Sequence, residues 1–95
     1  MPLEAFSESY RLTSRFLSSN LMQCACRVLS CRAEEGEYRE TADLYTAFPL
    51  QPGDTLKRVR DGAVYHVTGA SRVPALPVAP GLFIHRAERV SPLPG

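Results

Sequence analysis

The chain has 95 residues, of which 44% are hydrophobic and 22% charged, with a net charge of +1 and no tryptophan. That is enough chain for a single domain with a modest core, and too apolar for general disorder. A charge so close to zero argues against a dedicated nucleic-acid binder, and no apolar run approaches the roughly 20 residues of a membrane span.

No basic leader opens the sequence, since Glu4 and Glu8 stand where a secretion signal would be positive. Three cysteines, an odd number, argue against a disulfide framework, so a reducing cytoplasm is expected. Ten of the eleven basic residues are arginine, Lys57 being the exception. Arginine suits bidentate contacts to carboxylate or phosphate, although a GC-rich genome would favour the same residue. Charge is unevenly spread: residues 1–33 carry +2, residues 34–54 carry −5 and residues 55–95 carry +4. Opposite patches of this kind either steer copies together head to tail or pair within one fold.

Residues 6–21 read two ways. Phe6, Tyr10, Leu17 and Leu21 fit one face of a helix, whereas Tyr10, Leu12 and Phe16 fit the period of two of a strand. The hydroxyls of Thr13, Ser14, Ser18 and Ser19 compete for the backbone and weaken a helix. Extended structure is expected, with a short N-terminal helix as the alternative.

Residues 21–32 alternate as a strand, with Met22, Cys24, Cys26 and Val28 on one face. Gly36 then marks a turn, and residues 38–48 form a second strand with Tyr38, Ala42, Leu44 and Phe48 on one side. Glu40 and Thr46 interrupt that alternation. After a turn at residues 49–54 comes a hairpin, signalled by Asp61-Gly62 between strand-like runs. A type I′ turn takes positive φ at both central residues, which Asp-Gly tolerates. A two-residue loop would set Val59 opposite Val64, Arg58 opposite Tyr65 and Leu56 opposite Val67. The base is then apolar and the tip basic, with Arg58 within cation–π reach of Tyr65.

Pro74, Pro77 and Pro80 make residues 73–81 a Pro-rich apolar loop, either a linker over the core or a docking segment. Residues 82–90 give a last strand, and Ser91-Pro92-Leu93-Pro94-Gly95 a flexible tail. The expected fold is mainly β: one domain over residues 1–90, a small SH3-like or OB-like barrel or sandwich of about five strands.

Candidate chemistry is sparse. Cys24 and Cys26 share a strand face with Cys31 opposite, so the three would converge only across a bulge, and the Cys-x-Cys gap is tighter than structural zinc sites use. Core packing is the expected role. His66 and His85 lie in strands, no glycine-rich phosphate loop is present, and Glu34, Glu35 and Glu37 sit in a turn. No enzyme activity, metal or cofactor is expected. The candidate contact surface is Lys57, Arg58, Val59, Arg60, Asp61, Gly62, Val64 and Tyr65 of the hairpin, with Val73, Leu76 and Val78 of the Pro-rich loop.

The stretch Pro52-Gly53-Asp54-Thr55-Leu56, with Arg60-Asp61-Gly62-Ala63-Val64-Tyr65-His66-Val67-Thr68-Gly69, resembles part of the small connector and head-closure proteins of tailed-bacteriophage necks. The resemblance covers a short part of the chain, and residues 73–81 have no counterpart in that family. It implies a structural virion protein, made in the host cytoplasm and built into rings with copies of itself and with portal, adaptor or tail proteins. Two alternatives stay open. One is a nucleic-acid-binding barrel using the cations of the hairpin; the other is a small phage inhibitor that blocks a host protein.

Overall fold

The computed structural model describes residues 7–14, 20–73 and 82–92. Among the described residues there are six strands: β1 (Glu8–Thr13), β2 (Asn20–Glu34), β3 (Glu37–Thr46), β4 (Thr55–Arg58), β5 (Val64–Val67) and β6 (Phe83–Pro92). All pairings are antiparallel, and the order β1-β2-β3-β6-β5-β4 closes into a barrel through the pairing of β1 with β4. The last strand in sequence therefore lies between β3 and β5.

The sixth strand beyond the five expected is β1, where the period of two prevails over the helical reading. Tyr10 and Leu12 point into the barrel and are buried, while Ser9 and Arg11 face outward. The Ser9 hydroxyl accepts a 2.9 Å hydrogen bond from Gln23 Nε2 on β2, so it engages a cross-strand neighbour instead of competing for its own backbone. No helix is found among the described residues, and residues 15–19 lie outside them. At the other end Ser91 and Pro92, expected in a flexible tail, belong to β6 and pair with Tyr38 and Glu37, and residues 93–95 lie outside the described residues.

The core gathers Tyr10, Leu12, Met22, Cys24, Leu44, Leu56, Tyr65 and Val67 from successive inward positions. Complete burial of a leucine such as Leu44 or Leu56 contributes about 1.5–3 kcal/mol. Glu40 and Thr46, which break the apolar alternation of β3, also point inward and are buried. Their hydrogen bonds explain why: Thr46 donates to the carbonyl of Phe48 at 2.6 Å, and Glu40 accepts from two tyrosines. His85 is fully buried. Its Nε2 accepts the Leu50 N–H at 2.9 Å and its Nδ1 lies 3.3 Å from the Leu44 carbonyl, so the neutral ring fastens the β3–β4 loop to the barrel.

The type I′ geometry expected at Asp61-Gly62 is found instead at the turn marked by Gly36. Strands β2 and β3 meet in a two-residue loop, Glu34 opposite Glu37, with φ of +52° at Glu35 and +78° at Gly36. That is the pair of positive values a type I′ turn uses. Between β4 and β5, by contrast, only Gly62 has positive φ, and the loop runs from Val59 to Gly62. Leu56 therefore faces Tyr65 and Lys57 faces Val64, two residues away from the register of a two-residue loop. Asp61 stays out of the left-handed region because its carboxylate is engaged: it accepts the Ala63 N–H at 3.1 Å and both Nε and Nη2 of Arg58 at 2.9 Å.

Strands β2, β3 and β6 are much longer than the barrel requires. Past Cys24, Ala42 and Ala87 they continue as a three-stranded arm, and the molecule measures 43 Å along its long axis against 28 and 24 Å. The arm carries a β-bulge in β2, where the pairing steps from Val28↔Ala42 to Ser30↔Thr41 and leaves Leu29 unpaired.

Candidate interaction surface

The mouth of the barrel below the arm is lined by one inward side chain from each strand: Tyr10, Cys26, Glu40, Arg58, Tyr65 and Arg89. Glu40 is the hub. It accepts hydrogen bonds from the Tyr65 hydroxyl and, at 2.8 Å, from the Tyr38 hydroxyl, and Arg89 approaches it to 3.9 Å from the facing position of β6. Arg89 lies over the Tyr38 ring, and Arg58 lies over the Tyr65 ring, each 5.7 Å from the centroid. Among the described residues, Arg89 Nε is the one buried side-chain nitrogen or oxygen without a partner.

Burial pushes the Tyr10 and Tyr65 phenols well above their ordinary pKa, and the bond to Glu40 adds to this for Tyr65. The bond to Glu40 likewise holds Tyr38 up at about 12. All three phenols therefore stay protonated at neutral pH; Tyr38 and Tyr65 donate to Glu40, and the Tyr10 hydroxyl accepts from Arg58. Burial also raises the Cys26 thiol, so the mouth offers no thiolate nucleophile. It is a closed polar plug.

The hairpin residues divide accordingly. Arg58, with 12% of its side chain exposed, is fully engaged: bidentate to Asp61, 3.4 Å from the Tyr10 hydroxyl and 3.9 Å from Glu8. Its pairing holds the Asp61 carboxyl far below the usual range, helped by the Ala63 N–H. Tyr65 is buried and Val64 half-buried. Lys57, Val59, Arg60, Asp61 and Gly62 are exposed, with Arg60 bidentate to Glu8 and the Val59 N–H bonded to the Ser9 carbonyl. The expected Arg58–Tyr65 contact is present, although across a shifted register. Val73 is exposed; Leu76 and Val78 lie outside the described residues.

The acidic middle and basic end of the sequence meet at two carboxylates, Asp43 and Glu40. Asp43 Oδ1 accepts from Arg86 Nε at 2.9 Å and Arg72 Nη2 at 3.1 Å, and Glu40 takes Arg89. The cations that would serve a phosphate-binding face are in good part neutralised by neighbours.

The bulge at Leu29 turns Cys31 onto the same face as Cys24 and Cys26, as convergence would require. The three are nevertheless strung along β2, with Cys24 and Cys31 about 20 Å apart at the rise of a strand. Among the described residues no group of three or more His, Cys, Asp or Glu side chains is placed to hold a metal.

The surface that sequence reasoning missed is the arm. It exposes Val28 and Leu29 on β2 and Val90 on β6, and on its outer side a shallow groove of about 250 Å³ runs between Arg32, Arg39 and Glu88. A signal was available: the alternation over residues 21–32, at about 3.3 Å a residue, already far outreaches a small barrel. Comparison of the chain with models of known families, with curated proteins and with solved structures finds no match.

Proposed function

We propose that this is a non-enzymatic assembly protein of a tailed-bacteriophage virion. It is made in the host cytoplasm and works through protein–protein contacts, in a ring of its own copies joined to portal, adaptor or tail proteins. The observation that supports this reading best is the arm. A barrel closed by strands of four to six residues, β4, β5 and β1, carries three strands of ten to fifteen residues that leave it and expose aliphatic side chains to solvent. Such an extension adds little to the barrel core and offers a large surface to a neighbour. The exposed hairpin loop around Val59 and Arg60 provides a second contact at the opposite rim of the mouth.

Native mass spectrometry of the untagged protein at moderate salt tests the reading. The expected result is a defined oligomer or a concentration-dependent ladder of oligomers. A species that remains monomeric at every concentration, and ignores purified portal, adaptor and tail proteins, would overturn it.

A further inference from the structure

We infer that the outer edge of β2 is a seam between two copies of this chain, paired antiparallel about a two-fold axis at Cys31. The argument begins with the two open edges of the arm. Among the described residues, β1 covers the edge of β2 only as far as Cys24, so the edge from Cys26 to Glu34 has no strand beside it. On the far side β5 covers β6 only to Glu88. These edges are not equivalent. The open part of β6 is short and ends in Pro92, which has no N–H to donate, and Arg89 within it is drawn to Glu40. Proline on an edge strand is a means of blocking edge-to-edge pairing. The open part of β2 contains neither proline nor glycine.

The side chains of that edge are self-complementary. The bulge places Arg27, Ser30, Arg32 and Glu34 on the outer face of the arm, and Cys26, Val28, Cys31 and Ala33 on the inner face. Directly opposed residues of an antiparallel pair share a face. With Cys31 opposite itself, this holds all along the seam: Ser30 meets Arg32 of the second copy, Val28 meets Ala33, and Arg27 meets Glu34. A regular strand in which Leu29 kept its place in the ladder would set Val28 against Glu34, so the bulge is what brings the charges together. Arg27 has no ionic partner among the described residues, because the carboxylate facing it, Asp43, is held by Arg72 and Arg86. Val28, half exposed in the single chain, is covered by the pairing.

The seam is isologous, so it joins copies in pairs and closes on itself. A ring requires a second, head-to-tail surface, and the seam would join two rings or two ring subunits back to back. The inference rests on the assembly reading only in that both require more than one copy.

Sedimentation equilibrium of the full reduced chain over a wide concentration range is the test, with Glu34→Arg, Arg27→Glu and the double charge swap. Both side chains are exposed, and circular dichroism verifies the fold of each variant. Each single change sets like charges opposite each other twice per dimer and should weaken dimerisation about tenfold, while the double swap should return it to near its original value. Mild oxidation of the unsubstituted chain should give a covalent dimer through Cys31, lost in Cys31→Ser. A dimer or ring insensitive to both single changes and not linked through Cys31 would overturn the seam while sparing the assembly reading. A strict monomer would overturn the seam whether its edge is bare or covered by residues of its own chain.

Discussion

Arg58 shows how far a basic residue can be from a free cation. Its guanidinium bridges the loop carboxylate Asp61, the Tyr10 hydroxyl and the Tyr65 ring, and so joins β1, β4, β5 and their loop at one point. Arg58→Ala should cost about 2 kcal/mol in urea unfolding, because a charged group with several hydrogen bonds is removed and its partners are left wanting. Arg60→Ala, which removes a far more exposed side chain, should leave stability almost unchanged, making Arg60 the clean probe of contacts at the hairpin tip. His85 carries a pH dependence. Burial lowers its pKa below the ordinary value near 6.5, with the Leu44 carbonyl and Asp54 opposing the shift and Arg72 assisting it. Above about pH 6.5 the ring is neutral in both states and stability is complete. As the pH falls further, the unfolded chain takes up a proton that the folded ring resists, so stability drops by at most about 1.4 kcal/mol per pH unit until the folded pKa is reached. Unfolding free energies between pH 8 and pH 5 should show this slope, and His85→Leu should flatten it while destabilising the protein at pH 8, where the Leu50 N–H loses its acceptor. The cysteines should separate in a thiol-reagent assay at low protein concentration. Exposed Cys31 should react first and half-buried Cys26 later, whereas Cys24, buried and held up at about 12, should react only on unfolding.

At the scale of elements, the strands were more legible than the turns that join them. Alternation located β2, β3, β5 and most of β6, because each has one face in the core. It misjudged Glu40 and Thr46, since an inward polar residue looks like a break unless its hydrogen bonds are known. It could not locate the bulge, which changes the face of Cys31 without altering the composition of the strand. The turn at Asp61-Gly62 was misjudged for a specific reason. Asp61-Gly62 carries the stronger local signal for a type I′ turn, yet Arg58 and the Ala63 N–H bind the aspartate and select a wider loop. Glu35 makes no such bond among those found and accepts positive φ beside Gly36. Gly36→Ala should therefore cost about 1–2 kcal/mol through backbone strain alone, since no atom lies within 4 Å of the added methyl. Thermal unfolding should register it as a loss of about 4–8 °C per kcal/mol. As for the candidate surface, the hairpin was found from sequence but its free cations were overcounted. The arm was passed over because exposed aliphatic positions on a strand look the same as buried ones.

For the whole molecule, charge neutralisation within the fold limits what a phosphate backbone would meet. Arg58, Arg60, Arg72, Arg86 and Arg89 each lie within 4 Å of a carboxylate, so among the described residues of the basic C-terminal half only Lys57 has no carboxylate within 4 Å with which to neutralise its charge. Fluorescence anisotropy with a labelled oligonucleotide at physiological salt should find binding no tighter than the non-specific range, a Kd of about 10⁻⁴–10⁻⁶ M. A tighter, steeply salt-dependent complex would restore the nucleic-acid alternative. The same neutralisation leaves the aliphatic arm as the feature that most needs a partner.

The position of β6 also has a consequence during synthesis. This strand is translated last of the six but sits in the middle of the sheet, between β3 and β5. A ribosome that has not yet delivered residues 83–92 therefore holds an open sheet with two bare edges, one on each side of the missing strand. The buried face of Leu44, Ala42, Val67 and Tyr65 is uncovered until then. Closure comes by insertion of one strand into a gap, and the strands it pairs with, β3 and β5, are distant in sequence. A nascent chain in that state is a natural client for chaperones, and a message truncated ahead of β6 would yield sticky fragments instead of a smaller barrel.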